Sequence, residues 1–421
     1  MALACAMCTV VDAPAQSTEE VTSPPEAATS PAALPSGPAE PGADSEEAEI
    51  AAELARIQSR GQPESTARTA PPATAAGGAS PYGLSNFFNP ALSANAIALG
   101  GGSTRESTGD EPRETDLSSG IFVQEVEIRA SAIVDPYFRA DVSLNGNAEE
   151  VGFEEAILST LEIPRLTIRA GQMRAVFGRH TLLHTHAFPF VTAPLPIARL
   201  FGPEGLEQPG VAAEVLLPLP FYAEVSAQAF QGDWPPFEGG VAEDPDKPPE
   251  DLRRDEDLAY VGHLKTLFDL GASATVEIGG TYLGGRNVFG RWTSVVGGDL
   301  TLKWRPIEAE RYRGIDWTTE WIWQSRPGAP LDRRIGGGYS ALRAQFAQRW
   351  WVQARGAVLG LLPRGDDGRT FRAETLVAFV PSEFSAIRLQ YALEKAEGQR
   401  WVNEVFLQAI FSVGAHPAHA Y

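Results

Sequence analysis

The feature that most constrains the fold of this chain is a two-residue alternation of apolar and polar side chains after Gly120. The alternation is clear in Ile121–Ser131 and in Tyr137–Asn145, and it returns at 165–170, 221–228, 370–379 and 401–412. This period is typical of β-strands, because successive side chains point to opposite faces. Most of the alternating segments are about twice the usual strand length. About ten tilted residues cross the apolar core of a bilayer, so the pattern predicts an all-β protein with long strands.

The lengths of the connections extend this prediction to a closed barrel. Gaps between successive strands alternate between short and long, as turns and loops do at the two ends of a membrane barrel. The alternation is complete if Ala91–Leu99 is a strand and 101–119 is the first long loop. The result is an even number of strands, about 16, in a transmembrane antiparallel up-and-down β-barrel. The predicted strands are 91–99, 121–131, 136–146, 151–161, 166–176, 210–217, 221–231, 257–268, 272–283, 292–304, 314–325, 335–347, 350–361, 370–380, 384–394 and 401–412.

The alternation alone does not distinguish a membrane barrel from a soluble sandwich, because only the face that meets water differs between them. No stretch approaches 18 uninterrupted apolar residues, so no transmembrane helix is predicted. The net charge of −20 argues against a nucleic-acid partner, since phosphate contacts need clustered cations. The long strands favour a membrane barrel over a soluble sandwich, and so does the export signal described below. Aromatic residues near predicted strand ends favour it as well: Trp292, Trp304, Trp317, Trp321, Trp323 and Trp401.

The start of the chain resembles a secretory signal. Residues 1–15 contain an apolar run and end in Ala13-Pro14-Ala15, a small-x-small cleavage pattern. The positively charged segment that usually precedes such a run is missing, so a frayed apolar N-terminus is the alternative interpretation. Both cysteines of the chain, Cys5 and Cys8, lie in this segment, which leaves the rest without disulfides or thiol chemistry.

Residues 16–85 are rich in Ala, Pro, Ser, Thr and Glu. Such a composition buries too little apolar surface to offset the entropy of ordering, so we predict a disordered linker. A capping serine, an acidic first turn and spaced apolar residues predict a short helix near 45–58. The barrel is expected to occupy residues 86–421, which hold nearly all the aromatic residues.

The longest gap between predicted strands, 177–209, is the candidate selectivity element. Two interpretations are open: the loop folds into the lumen and favours anions, as charged rings do in other pores, or it packs over the rim and faces solvent. On the first interpretation the pore constriction is formed by Arg179, His180, His184, His186 and Arg199.

The polar faces of the strands would line the lumen of a membrane barrel. In Ile121–Ser131 we expect Phe122 on the apolar face with Val126 and Ile128. Mixed charges suit a general water-filled channel better than a strict charge filter. The residues expected to line the lumen are Glu125, Glu127, Arg129, Arg139, Asp141 and Arg169, with Arg355 and Arg372 as further candidates.

We predict no metal site and no cofactor. His184 and His186 are weak metal candidates, because strand spacing would place two imidazoles on one face and imidazole suits zinc. His416 and His419 form a second pair, but the topology places it at the opposite end of the barrel. His263 is expected in the wall, and the acid-rich segment Glu238–Asp257 is expected to be a solvated loop.

Several segments resemble the porin-type outer-membrane proteins of Gram-negative bacteria. The resemblance is to an uncharacterised group related to phosphate-selective porins, some members of which are labelled zinc-regulated TonB-dependent outer-membrane proteins. It covers 86–421, and the segments that carry it are Phe88–Ser93, Val134–Arg139, Arg169–Arg179, His184–His186, Gly202–Leu206, Leu217–Pro220 and Gly414–His419. The chain also ends in an aromatic residue, Tyr421, as such barrels usually do for assembly.

The resemblance implies an outer-membrane location, a periplasmic N-terminal extension, and outer-membrane lipid and the barrel-assembly machinery as partners; a homo-oligomer is left open. No plug domain or energy-coupling box precedes the barrel, which favours passive diffusion over TonB-dependent transport. We therefore expect a channel for small hydrophilic solutes or ions. The alternatives are a non-conducting barrel that acts as a binding or structural module or metal-linked receptor, and an exported soluble enzyme. No Gly-x-Ser-x-Gly nucleophile motif supports an enzyme.

Overall fold

The computed structural model describes residues 90–105, 119–147, 151–202, 205–238, 251–254, 256–306, 312–366 and 368–414. The signal-like segment, the predicted linker and the predicted helix near 45–58 lie outside the described residues. Cys5, Cys8, His416, His419 and Tyr421 lie outside them as well.

Sixteen antiparallel strands form one closed barrel, in which each strand pairs with its neighbours in sequence and the first strand pairs with the last. The strands are β1 (Ala91–Ser103), β2 (Gly120–Ile133), β3 (Phe138–Gly146), β4 (Val151–Thr160), β5 (Leu166–Arg174), β6 (Glu207–Leu216), β7 (Tyr222–Phe230), β8 (Ala259–Asp269), β9 (Ala274–Arg286), β10 (Trp292–Trp304), β11 (Gly314–Ser325), β12 (Arg334–Ala347), β13 (Trp350–Leu359), β14 (Thr370–Ser382), β15 (Ser385–Ala396) and β16 (Val402–Gly414).

The predicted fold class and strand count are confirmed. The largest difference in a strand boundary is at β1, which continues beyond Leu99 to Ser103. The extension consists of Gly100, Gly101 and Gly102 followed by Ser103, and glycine contributes no apolar side chain to an alternating pattern. These residues nevertheless pair with both β2 and β16 as far as the strands extend, because the ladder uses the backbone alone.

The wall of the barrel is apolar outside and polar inside. Along β16, Val405 and Leu407 are about half exposed, whereas Glu404 and Gln408, whose side chains point to the other face of the strand, are buried. Charged side chains are buried here because they face the enclosed interior rather than water. A soluble barrel has the opposite arrangement, so this exterior is the kind of surface that lipid covers. Exposed tryptophans stand at or next to strand ends at positions 292, 304, 350 and 401.

Two β-bulges interrupt the alternation on β2 and β4. Glu125 and Val123 pair with adjacent residues of β1, so Gln124 is the extra residue of β2. Phe122 therefore packs against an interior apolar cluster with Phe190, and the prediction that it shares a face with Val126 and Ile128 is wrong. The bulge shifts the face on which the preceding residues lie.

The bulge on β4 has the same effect on a pair of carboxylates. Ser143 pairs with Glu155 and Leu144 pairs with Phe153, which leaves Glu154 as the extra residue. As a result two consecutive residues, Glu154 and Glu155, are both buried on the inner side of the wall. Bulges of this kind redirect side chains and are common near functional sites.

The connection between β5 and β6, residues 175–206, lies inside the barrel, and we call it the inner loop. It contains two short 3-10 helices, His180–Leu182 and Thr185–Ala187, and the helix α1 (Leu195–Phe201). Pro194 precedes α1 and Pro196 lies in its first turn, a position that tolerates proline because its N–H would lack a helical partner. In the part of the chain that the structure describes, no helix is long and apolar enough to cross a membrane.

Candidate functional site

The inner loop is fixed to the wall first at Glu320 of β11. The carboxylate of Glu320 accepts the backbone N–H groups of Arg179 and His180 at 3.2 and 3.0 Å and the hydroxyl of Tyr339 at 2.5 Å. Gly178 adopts a φ of +61° immediately before them, a conformation that glycine takes without strain. A buried carboxyl group with three donors is a stable anchor, because its oxygens are satisfied by hydrogen bonds.

A second anchor joins the loop to β13 and β14 at Thr192. The guanidinium of Arg355 donates to the carbonyl oxygen of Thr192 at 2.8 Å and to its hydroxyl at 3.0 Å. The same hydroxyl donates to Glu374 at 2.7 Å, and Arg355 pairs with Glu374 directly. The ring of Phe190 lies 4.4 Å from the guanidinium carbon of Arg355, within the range of a cation–π contact.

The third contact of the loop is on the opposite wall. His186 Nδ1 lies 2.7 Å from Glu127 of β2, and His184 Nδ1 lies 3.0 Å from Glu154 of β4. In a closed ring of sixteen strands β3 stands opposite β11. The inner loop therefore contacts both walls and crosses the interior from one side to the other.

Apolar packing holds the loop along one side of the interior. Phe177 lies against Gly297 of β10, where an added Cβ would come within 2.6 Å of its ring. Phe177 also makes an edge-on contact with Phe201 of α1, with ring centroids 4.8 Å apart. Buried Ile197 and Leu206 belong to the same cluster. The loop is thus part of the folded core rather than a cover over the rim.

A cavity of about 160 Å³ separates the loop from the inner faces of β10–β13. Asp316 pairs there with Arg305 at 2.8 Å and with Arg343 at 3.1 Å. The lining contains more cations than carboxylates, an arrangement that favours anions, although Arg179 and Arg355 also pair with Glu277 and Glu374 outside the lining. Its cations are Arg179, Lys303, Arg305, Arg343 and Arg355.

The wall across the interior carries the opposite charge. Glu125 and Glu127 of β2 face the same region as Glu154 and Glu155 of β4. Arg174 forms an ion pair with Glu154 and lies 3.6 Å from Glu207. Carboxylates outnumber guanidinium groups on this side, so the loop lies between a negative wall and a positive one.

Two of the three buried histidines of the loop, His180 and His184, differ in protonation. Burial, followed by the charges of Arg355 and Arg174, lowers the pKa of His180 well below its ordinary value, so this ring is neutral. Burial also opposes charge on His184, but the nearby carboxylates of Glu154 and Glu155 outweigh it and raise the pKa of His184 to about 10. The carboxylates that stabilise a proton on His184 would equally attract a metal cation.

The structure brings some of the predicted constriction residues together and separates others. Arg179 and His180 line the cavity, whereas His184 and His186 face the carboxylates on the opposite side. Arg199 is exposed on α1 and does not line the cavity. The expected strand spacing of His184 and His186 is wrong, because Thr185–Ala187 is a 3-10 helix.

The predicted lumen residues lie on the polar face of the wall. Asp141 pairs with Arg139 at 2.8 Å and with Arg129 at 3.4 Å. Arg169 pairs with Glu214 of β6. Glu125 and Glu127 belong to the negative wall described above.

Sequence reasoning missed Glu154, Glu155 and the wall cations Lys303, Arg305 and Arg343. The adjacent pair Glu154-Glu155 within an alternating strand is a signal for a bulge that could have revealed the first two. The cations gave no such signal, since their proximity to the loop depends on barrel closure.

Two other predicted regions do not line the cavity beside the inner loop. His263 lies in the wall on β8, where its Nδ1 is 2.8 Å from the hydroxyl of Thr281. Much of the acid-rich segment Glu238–Asp257 lies outside the described residues. Of its described part, Arg253 pairs with Asp251 at 2.8 Å at the surface.

The fold and the loop define a closed sixteen-stranded barrel with a folded segment across its interior, and similar barrels are known. No family model matches the chain. An uncharacterized protein of Aquifex aeolicus is 29% identical over 354 residues, which cover 74% of this chain and 72% of that protein.

Solved structures with a similar fold are outer-membrane channels and porins. The channel DcaP of Acinetobacter baumannii has a TM-score of 0.53 at 10% identity and covers 77% of this chain and 97% of its own. OprB of Pseudomonas putida has a TM-score of 0.53 at 9% identity, and the match covers 80% of this chain and 97% of OprB. An anion-selective porin of Comamonas acidovorans has a TM-score of 0.50 at 10% identity, and the match covers 77% of this chain and 98% of the porin. At these identities the likeness is one of fold.

Proposed function

We propose that this protein is an outer-membrane channel of a Gram-negative bacterium through which small hydrophilic solutes or ions diffuse passively. The observation that carries the proposal is a polar interior, crossed by an ordered loop, within a barrel whose exterior is apolar. Lipid would cover the exterior and water would fill the space beside the loop. The loops at the inner-loop end of the barrel would face outward, and the N-terminal extension would lie in the periplasm.

The charge distribution supports a preference for anions in the space beside the inner loop. Lys303 and Arg343 stand on the positive wall, beside Arg179 of the loop. An anion passing the loop would follow this wall, because the opposite wall carries Glu127 and Glu154. The Comamonas porin of similar fold is described as anion-selective, which agrees with this direction of selectivity. Kinship with phosphate-selective or zinc-regulated TonB-dependent proteins stays a prediction.

Bilayer recordings on the purified full-length protein test both parts of the proposal. Discrete conductance steps are expected, and a salt gradient should give a reversal potential of the sign that indicates anion preference. Lys303→Gln combined with Arg343→Gln should reduce or reverse that preference. Arg364→Gln, which removes a cation paired with Glu397 on an exposed loop, is the matched control and should leave it unchanged. An unaltered reversal potential in the double variant would exclude the positive wall as the selectivity element.

Dense packing around the inner loop favours a second candidate, a non-conducting barrel that acts as a binding or structural module. Phe177, Ile197 and Phe201 are buried in the interior with Leu206, so the loop occupies space that an open channel would leave to water. Recordings without conductance steps from correctly folded protein would favour this candidate. An exported soluble enzyme is tested by fractionation, since a membrane barrel should be found in the outer-membrane fraction and migrate faster on a denaturing gel when unboiled.

A further inference from the structure

A cluster of imidazole and carboxylate groups lies where the inner loop meets β2 and β4. We propose that Glu127, Glu154 and His184 bind a divalent transition metal ion, with zinc as the best match, and that the metal fixes the loop to this wall. Nδ1 of His184 lies 3.0 Å from Oε1 of Glu154 and 3.6 Å from Oε2 of Glu127. All three residues are buried: the carboxylate side chains are almost completely enclosed, and the His184 side chain is 11% exposed.

The separations between these atoms fit a common metal ion. Zinc binds imidazole nitrogen and carboxylate oxygen at about 2.0–2.2 Å in tetrahedral sites, so two of its ligand atoms lie roughly 3.3 Å apart. The observed 3.0 and 3.6 Å lie on either side of this value. Nδ1 of His186, which is 2.7 Å from Oε2 of Glu127, is placed to approach the fourth position.

The polar atoms at the centre of the cluster lack hydrogen bonds of acceptable geometry. Within the described residues Oε2 of Glu127 and Nδ1 of His184 are buried without such a bond, and so is Oε1 of the neighbouring Glu125. Buried polar atoms without hydrogen bonds cost free energy. A metal ion at the centre would satisfy the two atoms that face each other, Oε2 of Glu127 and Nδ1 of His184.

The groups behind the ligands have the arrangement that supports a metal. The hydroxyl of Ser143 lies 3.1 Å from Oε1 of Glu127 and 3.4 Å from Oε2 of Glu154, so its single proton can be donated to either of these oxygens, which face away from His184. Nε2 of His184 lies 3.4 Å from Glu155. A carboxylate on the second imidazole nitrogen orients the ring and strengthens it as a ligand.

The local backbone also favours a dedicated site. Bulges on β2 and β4 interrupt the alternation beside the cluster, and the second turns Glu154 and Glu155 inward together. Arg174 pairs with the same oxygen of Glu154 that faces His184, but this guanidinium and a protonated His184 together do not balance Glu125, Glu127, Glu154 and Glu155. Uncompensated buried charge is strongly unfavourable, and a divalent cation would compensate it.

The test uses full-length protein folded in detergent, stripped with a chelator and titrated with zinc chloride. We expect one tightly bound zinc ion per chain by calorimetry and elemental analysis, and cobalt in its place should give the intense visible absorption of a tetrahedral site. Glu127→Gln and His184→Gln should each weaken zinc binding more than tenfold. Glu155→Gln, which alters only the group behind His184, should weaken it about 10–100-fold.

Two comparisons make the result specific. His263→Gln removes another buried histidine from the wall and should leave zinc binding unchanged. Cys5, Cys8, His416 and His419 are other groups that could bind zinc, and replacing all four should also leave this ion in place. In each variant, unboiled protein that still migrates faster than boiled protein on a denaturing gel shows that the barrel folds.

The proposal is overturned if the protein binds no zinc, or if binding survives His184→Gln and is lost when the terminal cysteines and histidines are replaced. Conductance is not part of this test, so its outcome is independent of the channel proposal.

Discussion

The carboxylate of Glu320 on β11 accepts the backbone N–H of His180 at 3.0 Å, and this contact links residues 140 positions apart in the sequence. It fixes the start of the inner loop to the wall opposite Glu127. The path of the loop across the interior therefore depends on anchors at both walls, and each anchor is a polar side chain that alternation places inside the barrel.

Glu320→Gln should loosen the inner loop, because the amide keeps the size of the side chain but loses its charge and brings an N–H group towards backbone donors. We expect the free energy of unfolding to fall by about 1–3 kcal/mol in urea titrations. Channel recordings should show altered conductance with more open-state noise. Tyr339→Phe removes only one of the three donors and should have a smaller effect. Equal stability and conductance in Glu320→Gln and the wild type would contradict the role of Glu320 as an anchor.

Gly297→Val should displace Phe177 from the wall. An added Cβ would come within 2.6 Å of the Phe177 ring, and a densely packed interior accommodates such overlap at a cost of about 1–3 kcal/mol. The expected result is a lower free energy of unfolding and a conductance different from the wild type. Gly298→Val is the matched control, since a Cβ there meets no neighbouring atom within 4 Å. Similar effects in the two variants would mean that the contact with Phe177 is not the cause.

His180 should make the folded protein less stable in mild acid. The pKa of the buried ring is lowered well below 6.5, so the unfolded chain binds a proton near pH 6 that the folded chain does not. Stability from this group is complete above about pH 6.5 and is lost as the pH falls below that value. Arg355, Arg174, Tyr339 and Glu320 are the charged and titratable groups that face the ring or its backbone.

The His180→Gln variant tests whether His180 causes this loss of stability in acid. Urea unfolding at pH 8 and at pH 5.5 should show a smaller acid-induced loss of stability in the variant than in the wild type. An identical pH dependence in His180→Gln and the wild type would show that His180 does not contribute.

Arg372→Met should destabilise the wall between β14 and β16. The fully buried guanidinium donates to Glu374, Glu394 and Glu404 at 3.0, 2.8 and 2.7 Å. Its removal takes the arginine from buried Glu404, while Glu374 keeps Arg355 and Glu394 keeps Arg105; breaking a buried ion pair typically costs about 3–5 kcal/mol. Thermal and urea unfolding measure the loss. Arg139→Met is a milder comparison, because its ion pair with Asp141 is partly exposed. A loss below about 1 kcal/mol in Arg372→Met would contradict the central position of this residue.

Much of the fold could be predicted because its signal is local. Alternation and turn residues locate each strand, and a closed barrel with both ends on one side of the membrane requires an even number of strands, so a count of sixteen follows from local patterns. Phe122 shows the limit of that reasoning: one extra residue, Gln124, moves it to the inner face. A bulge changes the face on which the neighbouring side chains lie without changing the composition of the strand. Counting the two-residue period therefore does not reveal it.

The candidate site was less predictable, because its groups come together only through closure of the barrel. His184 and His186 were recognised as unusual, yet their partners Glu127 and Glu154 are far away in sequence and lie on different strands. Strand order brings β2 and β4 beside the loop, and no short-range pattern encodes that contact.

The sequence by itself determined the long alternating strands, their number and the closed antiparallel topology, since these depend on side-chain period and connection length. The tertiary structure decided that residues 175–206 lie inside the barrel, that cations and carboxylates line opposite walls, and that two bulges turn extra polar residues inward. These features arise from contacts between distant strands across an enclosed space. Their energies depend on which groups burial brings together, and local sequence patterns do not record that.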